Sequence, residues 1–510
     1  MELVILFLIL SAIGYVAIKK SVGKLTKTPI WLLWLALMSP PFIWVGWYLA
    51  NGNQSSMPRS LILIPLILSP LVYLWLIQIG RPKNHKTEQE LSTPESSEDN
   101  NSTTPIILNT DENHQQALEK STVKVKPINP EEEKALRDCF PWGVYYLQKV
   151  DYLPQGVLCL GKLMTAPEKA YTTIKANLEK VFHDRFLIIF QETLQGQPFF
   201  ALIPNPNSQA EKEKQKEEEK LTRPLMALGL LLLTFVTTTI IGAEISGVTT
   251  TELETHPELV LQGLPYSLSL IAILGVHELS HYLFAVYYQI KTTLPYFIPI
   301  PFFLGTFGAF ISIRSPMPNR KAVFDVAIAG PIGGFLVALP VLVWGLAYSD
   351  IVPLADDSSM LSFQALDPRF SLLLATISKL VLGSKLVAEK AIALHPAAVA
   401  GYIGIIVTAL NLVPVGQLDG GHIVHAMFGQ GKALVIGQIT RLLMILLAFV
   451  RGEFLIWAII LMFMPIADQP ALNDVTELDN GRDFLGLVAI ALLVAILLPL
   501  PPTLAQWLNI

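Results

Sequence analysis

Apolar runs organise this chain. Three come first, at about 2–18, 31–50 and 61–79, and a second block follows at about 225–243, 266–290, 325–348, 396–412, 433–450, 453–467 and 484–500. Most approach the ~20 residues that a helix needs to cross the hydrocarbon of a bilayer. Between the blocks the pattern changes. Residues 87–117 are polar, rich in Ser, Thr, Asn and Glu and poor in aromatics, which predicts a disordered linker. From about 130 to 205, short runs predict a small α/β unit with strands GVLCLGKL, RFLIIFQET and PFFALIP and the helix APEKAYTTIKANLEKVF. The charged run SQAEKEKQKEEEK then reads as a solvated linker leading back to apolar segments. The expected fold is mainly α, a polytopic membrane helix bundle with a small α/β domain. Its divisions are an N-terminal anchor of about three spans (1–86), a linker (87–117), a soluble domain (118–205), a charged linker (206–222) and a second membrane domain (223–510).

Composition agrees with that division. Over 510 residues the chain is 52% hydrophobic with a mean hydropathy of +0.50, too apolar for one soluble domain. A net charge of −5 and the lack of a basic patch interleaved with aromatics exclude nucleic acid as a partner. Cys139 and Cys159 are the only cysteines, so no disulfide framework is required and reduced thiols are the simpler reading. Met1–Ala17 resembles a signal peptide, but its lysines follow the apolar run and no small-residue cleavage site follows, so a retained anchor is expected. Lys19, Lys20, Lys24 and Lys27 follow the first run, and Arg81, Lys83 and Lys86 the third. The loop between the second and third holds a single Arg. By the positive-inside rule the basic stretches and the soluble domain are cytoplasmic and the N-terminus is outside. The helix over 266–290 then runs inward, with Lys291 at the cytoplasmic interface.

Within that helix, His277, Glu278 and His281 interrupt hydrocarbon. Ionisable side chains inside a span cost on the order of a few kcal/mol each, so they call for a functional reason. Residues four apart share a helix face, so both imidazoles can reach one ion from one side, the geometry of the His-Glu-x-x-His zinc motif. A catalytic zinc needs three protein ligands and an open position for water. Glu278 points aside, where a carboxylate can act on that water as general base and then as acid to a leaving amine. Farther along, NLVPVGQLDGGH breaks another apolar run with a proline and paired glycines. Asp419 is the best candidate for a third ligand of a single Zn²⁺, and Asn411 could donate hydrogen bonds to substrate backbone or to a developing oxyanion. The segment LPYFIPIPFFLGTFGAFISIRS combines prolines with strand-like alternation. It reads as a re-entrant β-hairpin-like segment whose edge could pair with an unwound substrate, with Gly305, Phe307 and Gly308 as candidate contacts. A plain interfacial loop is the alternative. Small residues in AGPIGG at 329–334 allow close helix packing. Segment 349–395 is mixed and too short for an inserted domain of usual size. His183 and His256 read as exposed residues and His395 as a helix boundary. His422 and His425, three apart, could form a second metal pair, but with no other carboxylate at that depth they read as structural.

HELSH at 277–281 and N-x-x-P-x-x-x-x-D-G at 411–420, in that order on apolar segments, resemble the two defining motifs of the site-2 protease class of intramembrane zinc metalloproteases. GVLCLGKL, LPYFIPIPFFLGTFGAF, DVAIAGPIGG, NLVPVGQLDGGH and LNDVTEL look like the plastid and cyanobacterial branch named for ethylene-dependent, gravitropism-deficient, yellow-green plants. The chain departs from it at Gly161-Lys162-Leu163-Met164, where the branch carries Gly-Asn-Leu-Arg. The resemblance implies peptide-bond hydrolysis near the cytoplasmic face of a cyanobacterial plasma or thylakoid membrane, acting on membrane-spanning substrates. It also implies His277, His281 and Asp419 as zinc ligands and Glu278 as acid/base. Oligomeric state is left open by the sequence. The rival classes are a metal or ion transporter, which would align carboxylates and histidines through several spans, and a catalytically silent adaptor, which would not need Glu278.

Overall fold

A computed structural model describes residues 28–51, single positions between 61 and 76, and 128–510 apart from 154–155, 194–195, 206–222, 355–362, 365, 389, 451–453 and 466–467. The expected first span, both linkers and most of the third span lie outside the described residues. The chain divides into two compact units, Met1–Val123 with Ile445–Leu455 and Lys124–Met444 with Ile456–Ile510. In the first, α1 (Ile30–Asn51) occupies the second apolar run. There Leu33 is buried among Ile30, Trp34, Tyr73 and Leu76, and the Thr28 hydroxyl donates to the Leu76 carbonyl at 2.7 Å.

The second unit opens with an α/β segment. α2 (Pro130–Asp138) starts at a capping box in which the Asn129 amide donates to Glu132 at 2.8 Å, so its first orphan N–H groups are satisfied. β1 (Tyr145–Leu153), β2 (Gly156–Leu163), α3 (Pro167–Phe182), β3 (Phe186–Glu192) and β4 (Pro198–Pro204) follow. The strands form one antiparallel sheet in the order β1-β2-β4-β3. α3 buries Ala170, Ile174, Leu178 and Phe182, an i, i+4, i+8, i+12 stripe. Phe190 and Phe200 stack at 4.2 Å beside Tyr145, whose hydroxyl donates to the Cys159 and Pro198 carbonyls.

The free edge of β3 is filled from nearly 300 residues away. The Phe190 amide donates to the Leu472 carbonyl at 2.7 Å and the Asp474 amide to Phe190 at 2.8 Å. On its other side the same strap takes up the segment ahead of the next long helix, Leu472 N–H to Met317 O at 2.9 Å and Asn473 N–H to Pro318 O at 3.1 Å. Val475 joins the soluble core. Residues 472–474 therefore join the four-stranded sheet to the helices by backbone pairing.

Among those helices are α4 (Pro224–Ile245), the short α5 (Thr250–Thr255), α6 (Leu264–Tyr287) entered through a 3-10 turn at Pro257–Gly263, and α7 (Arg320–Ala347). Between α6 and α7, β5 (Tyr296–Pro299) and β6 (Thr306–Phe310) form a hairpin pairing Tyr296 with Phe310 and Phe297 with Ala309. The described parts of 349–395 carry regular structure. β7 (Asp350–Pro353) pairs with β8 (Lys390–Ala393) around α8 (Leu372–Leu382). Then come α9 (Pro396–Leu412), α10 (Asp419–Phe428), α11 (Gln430–Val450), α12 (Leu455–Phe463), α13 (Asn480–Leu497) and α14 (Pro502–Leu508).

Among the described residues, five helical segments are long and apolar enough to cross a membrane, at 224–245, 257–287, 320–347, 430–449 and 480–497; α9 is shorter, at 17 residues. The expected span at 453–467 is corrected. Its described helix, α12, has nine residues, about 14 Å of helix at ~1.5 Å per residue, too little to cross alone. α7 is the central element and packs along both α6 and α9. Close approach depends on glycine, since a Cβ on Gly345 would press into Ala398 and one on Gly401 into Leu342.

Candidate metal centre

The two histidines and the glutamate lie close to one turn of α6, a helix that is otherwise mostly apolar. His281 Nδ1 is 2.7 Å from the Val326 carbonyl on α7. A carbonyl only accepts, so Nδ1 carries the hydrogen and the neutral ring turns the Nε2 lone pair inward. His277 Nε2 is 3.2 Å from His281 Nε2, and Asp419 Oδ2 is 3.6 Å and 3.4 Å from the two. Both imidazoles are buried. Three lone-pair atoms thus form a nearly equilateral triangle. Ligand atoms ~2.1 Å from a tetrahedral zinc stand ~3.4 Å apart, so this donor set fits the ion in size as well as in chemistry. Among the described residues no other group of three His, Cys, Asp or Glu side chains closes in this way.

Glycines on α7 make room for the imidazoles. A Cβ built on Gly330 would overlap the His281 ring, one on Gly334 would lie 3.0 Å from His277 Nδ1, and one on Gly333 would meet the Ser280 hydroxyl. The small-residue run AGPIGG is therefore the seat of the histidines, a role its composition alone does not reveal.

Asp419 arrives by a sharp turn. α9 ends at Leu412, Gly416 takes a positive φ of 54°, and α10 begins at Asp419 itself. A side chain on Gly420 would strike the Leu412 carbonyl, and one on Gly421 the Gly416 carbonyl. Paired glycines are what allow the turn to fold back so tightly. Asn411, on the last turn of α9, brings its Nδ2 to 3.1 Å from His277 Nε2.

These groups share a cavity of about 300 Å³ lined by His277, Glu278, His281, Asn411, Asp419 and His422. Its opposite wall is the chain from Ala309 to Ile313, and the Ile311 backbone hydrogen-bonds the Glu278 carboxylate. Gly305, Phe307 and Gly308, the hairpin residues expected to contact substrate, do not line this cavity. They sit toward the turn of the hairpin, where the Gly305 carbonyl accepts from Thr237 at 2.7 Å and Phe307 is 71% exposed. The antiparallel register carries the outgoing strand several residues farther before it reaches Glu278.

The reading of His422 and His425 is also corrected, since two carboxylates do lie beside them. Asp468 Oδ2 is 2.8 Å from His422 Nδ1 and 2.6 Å from His425 Nδ1, and Asp474 is 3.0 Å from His425 Nε2. Both come from the loop after α12, more than forty residues along the chain, and no local pattern signals them. Burial would lower His425, but its hydrogen bonds to Asp468 and Asp474 outweigh burial and hold it up at about 9. Burial would likewise raise Asp468, yet hydrogen bonds from His422 and His425 keep it down at about 2. Elsewhere, His395 caps α9 by accepting from the Ala397 amide at 3.2 Å, and His183 and His256 are exposed. Arg482 grips Asp325 with two hydrogen bonds of 2.8 and 2.7 Å, and Tyr288, just past α6, donates to the same carboxylate.

Comparison with known proteins agrees with this chemistry. Residues 265–450 match the model of Peptidase family M50. The chain is 29% identical to the probable zinc metalloprotease EGY1, chloroplastic, of Arabidopsis thaliana, over 75% of this chain and 74% of that protein. It is 28% identical to the probable zinc metalloprotease EGY2, chloroplastic, of the same plant, over 71% and 63%. To the probable zinc metalloprotease EGY3, chloroplastic, of Oryza sativa subsp. japonica it is 26% identical, over 75% and 66%. No solved structure matches the chain. Residues 265–450 of the chain thus match peptidase family M50, and the relatives it resembles over most of its length are named as probable zinc metalloproteases.

Proposed function

We propose that this multi-pass membrane protein hydrolyses peptide bonds of membrane-spanning substrates near the cytoplasmic face, in regulated intramembrane proteolysis. The observation that carries the proposal is the triangle of His277 Nε2, His281 Nε2 and Asp419 Oδ2, with sides of 3.2 to 3.6 Å, facing a cavity shared with Glu278 and Asn411. His277, His281 and Asp419 would hold one zinc ion, which when bound polarises a carbonyl and acidifies water. Glu278 takes the proton from the attacking water and delivers it to the leaving amine. Asn411 Nδ2 donates to the oxygen on which negative charge develops. The Ala309–Ile313 wall offers an extended backbone against which an unwound substrate segment can lie, a re-entrant role for the hairpin.

Domain roles belong to the same proposal. Residues 223–510 form the metalloprotease domain, 1–86 the N-terminal anchor, and 118–205 a soluble domain on the cytoplasmic side. That side is supported by the basic residues after the first and third apolar runs. The membrane is the plasma or thylakoid membrane of a photosynthetic, cyanobacterial cell, in keeping with the chloroplastic names of its relatives.

The test is cleavage of a membrane-tethered reporter by reconstituted wild type and Glu278→Gln, with zinc measured on both. Removing a general base costs ~10²- to 10⁴-fold, so the variant should hold zinc and lose cutting. Cutting that survives in Glu278→Gln would refute the mechanism.

A further inference from the structure

We propose that His422 is a substrate-contacting residue of the catalytic cavity, and that Asp474, fastened by the edge of the soluble domain, positions it through His425 and Asp468. The inference rests on the protease reading above. His422 lies one helical turn beyond Asp419 on α10 and lines the same cavity as Glu278. Behind it runs a chain of charge, from His422 Nδ1 to Asp468 Oδ2 at 2.8 Å, on to His425 Nδ1 at 2.6 Å, and from His425 Nε2 to Asp474 at 3.0 Å.

The chain has one open end. Its side chains are 6%, 0% and 6% exposed at Asp468, His425 and Asp474, whereas His422 is 30% exposed. Burying two carboxylates and an imidazole is costly unless they hold something in register. What they hold is the His422 ring. Asp468 can only accept, so His422 Nδ1 carries the hydrogen, and Nε2 is the ring nitrogen left outside the network. That atom suits a backbone N–H of an extended peptide lying along the Ala309–Ile313 wall.

The closed end belongs to the soluble domain. Asp474 donates its amide to Phe190 of β3 at 2.8 Å while its carboxylate holds His425, and Val475 beside it is buried in the soluble core. Buried Arg320, at the start of α7, faces Asp474 and donates to the Ala426 carbonyl of α10 at 2.7 Å, bracing the same junction. One short strap thus carries both the sheet pairing and the last anion of the network.

The test is steady-state cleavage of a membrane-tethered peptide by the full chain, for His422→Ala, His422→Gln, Asp474→Asn and the His422→Ala/Asp474→Asn double variant, with zinc content and melting followed in each. Losing one hydrogen bond to substrate should lower kcat/KM about tenfold in His422→Ala at unchanged zinc, with partial recovery in His422→Gln, whose amide oxygen also accepts. Asp474→Asn should lower kcat/KM severalfold alone and add nothing to His422→Ala, because it acts through that ring. Equal losses in both backgrounds would make Asp474 merely structural, and His422→Ala within about twofold of wild type would overturn the contact. If Asp474→Asn melts early, Asp468→Asn takes its place in the cycle. Glu278→Gln run alongside separates the two readings. Cutting by that variant overturns the protease mechanism, whereas an unaffected His422→Ala beside a dead Glu278→Gln overturns only this inference.

Discussion

Gly330→Ala is the sharpest test of how α7 seats the proposed metal ligands. An alanine Cβ at 330 would lie 2.5 Å from both Cδ2 and Cε1 of His281 and closer still to Nε2. Ordinary contact begins near ~3.5 Å, so ring and helix must part by about 1 Å. The ring has little freedom to give, because its Nδ1–H is spent on the Val326 carbonyl four residues before Gly330 on the same helix. Zinc–ligand distances tolerate only about ±0.2 Å, so the displacement exceeds what coordination allows several times over. The expected result is a loss of zinc affinity of at least ~100-fold, the upper end for changes behind a ligand, with overpacking of about 1–3 kcal/mol in the melt. Gly334→Ala, whose Cβ would sit 3.0 Å from His277 Nδ1, should cost less. Gly333→Ala should cost least, since the Ser280 hydroxyl it meets can rotate away. The assay is metal content by elemental analysis against a zinc buffer, on purified variants that still melt cooperatively. Wild-type zinc affinity in Gly330→Ala, or a larger loss in Gly333→Ala, would refute the reasoning.

Asn411→Ala should keep zinc and lower kcat by about 10²-fold, as for a single oxyanion donor; loss of zinc instead would mean that Asn411 holds His277. The His425 network should show in the pH dependence of stability. Its folded pKa is raised, so its contribution is fully present below the ordinary imidazole range and is lost as pH rises through about 9. Raising an imidazole that far corresponds to on the order of 3 kcal/mol, so melting points should fall by a few °C between about pH 7 and 10. The fall should be absent in His425→Gln, and an equal fall there would remove the network as its cause.

How much of this was legible depended on whether the signal was local. HELSH and the Asn411–Gly420 motif are both local, so spacing together with their setting in apolar runs brought His277, His281, Asp419 and Asn411 forward. The helix and three of the strands of the soluble sheet followed from alternation and the α3 stripe. β1 was not legible, since Gln148, Lys149 and Asp151 interrupt the alternation of YYLQKVDYL and it gains its place by pairing with β2. The glycines of α7 were visible as small residues, but not as the seat of His277 and His281, because that depends on which helix packs against them. Asp468 and Asp474 were illegible for the same reason, standing in an irregular loop and meeting His425 only in the folded chain. In the hairpin the alternating residues pair as β5 and β6, while its contact with Glu278 falls at Ile311, beyond Gly305, Phe307 and Gly308.

The strap also decides what deleting the α/β segment should do. Removing residues 130–205 unpairs the two hydrogen bonds between β3 and residues 472–474 and strips Val475 of its core. Nothing in the metal triangle passes through that strap. His281 is fixed by Val326, the histidines are seated on Gly330 and Gly334, and Asp419 is delivered by the turn after α9. The deletion should therefore leave zinc bound while changing which substrates are cut, because the wall holding His422 loosens and the metal does not. Comparing zinc content with cleavage of several membrane-tethered reporters separates the two effects. Loss of zinc would mean that the domain supports the ligands themselves. An unchanged order of preference among the reporters would mean that the strap carries no information from the sheet to the cavity, and that its pairing serves cohesion alone.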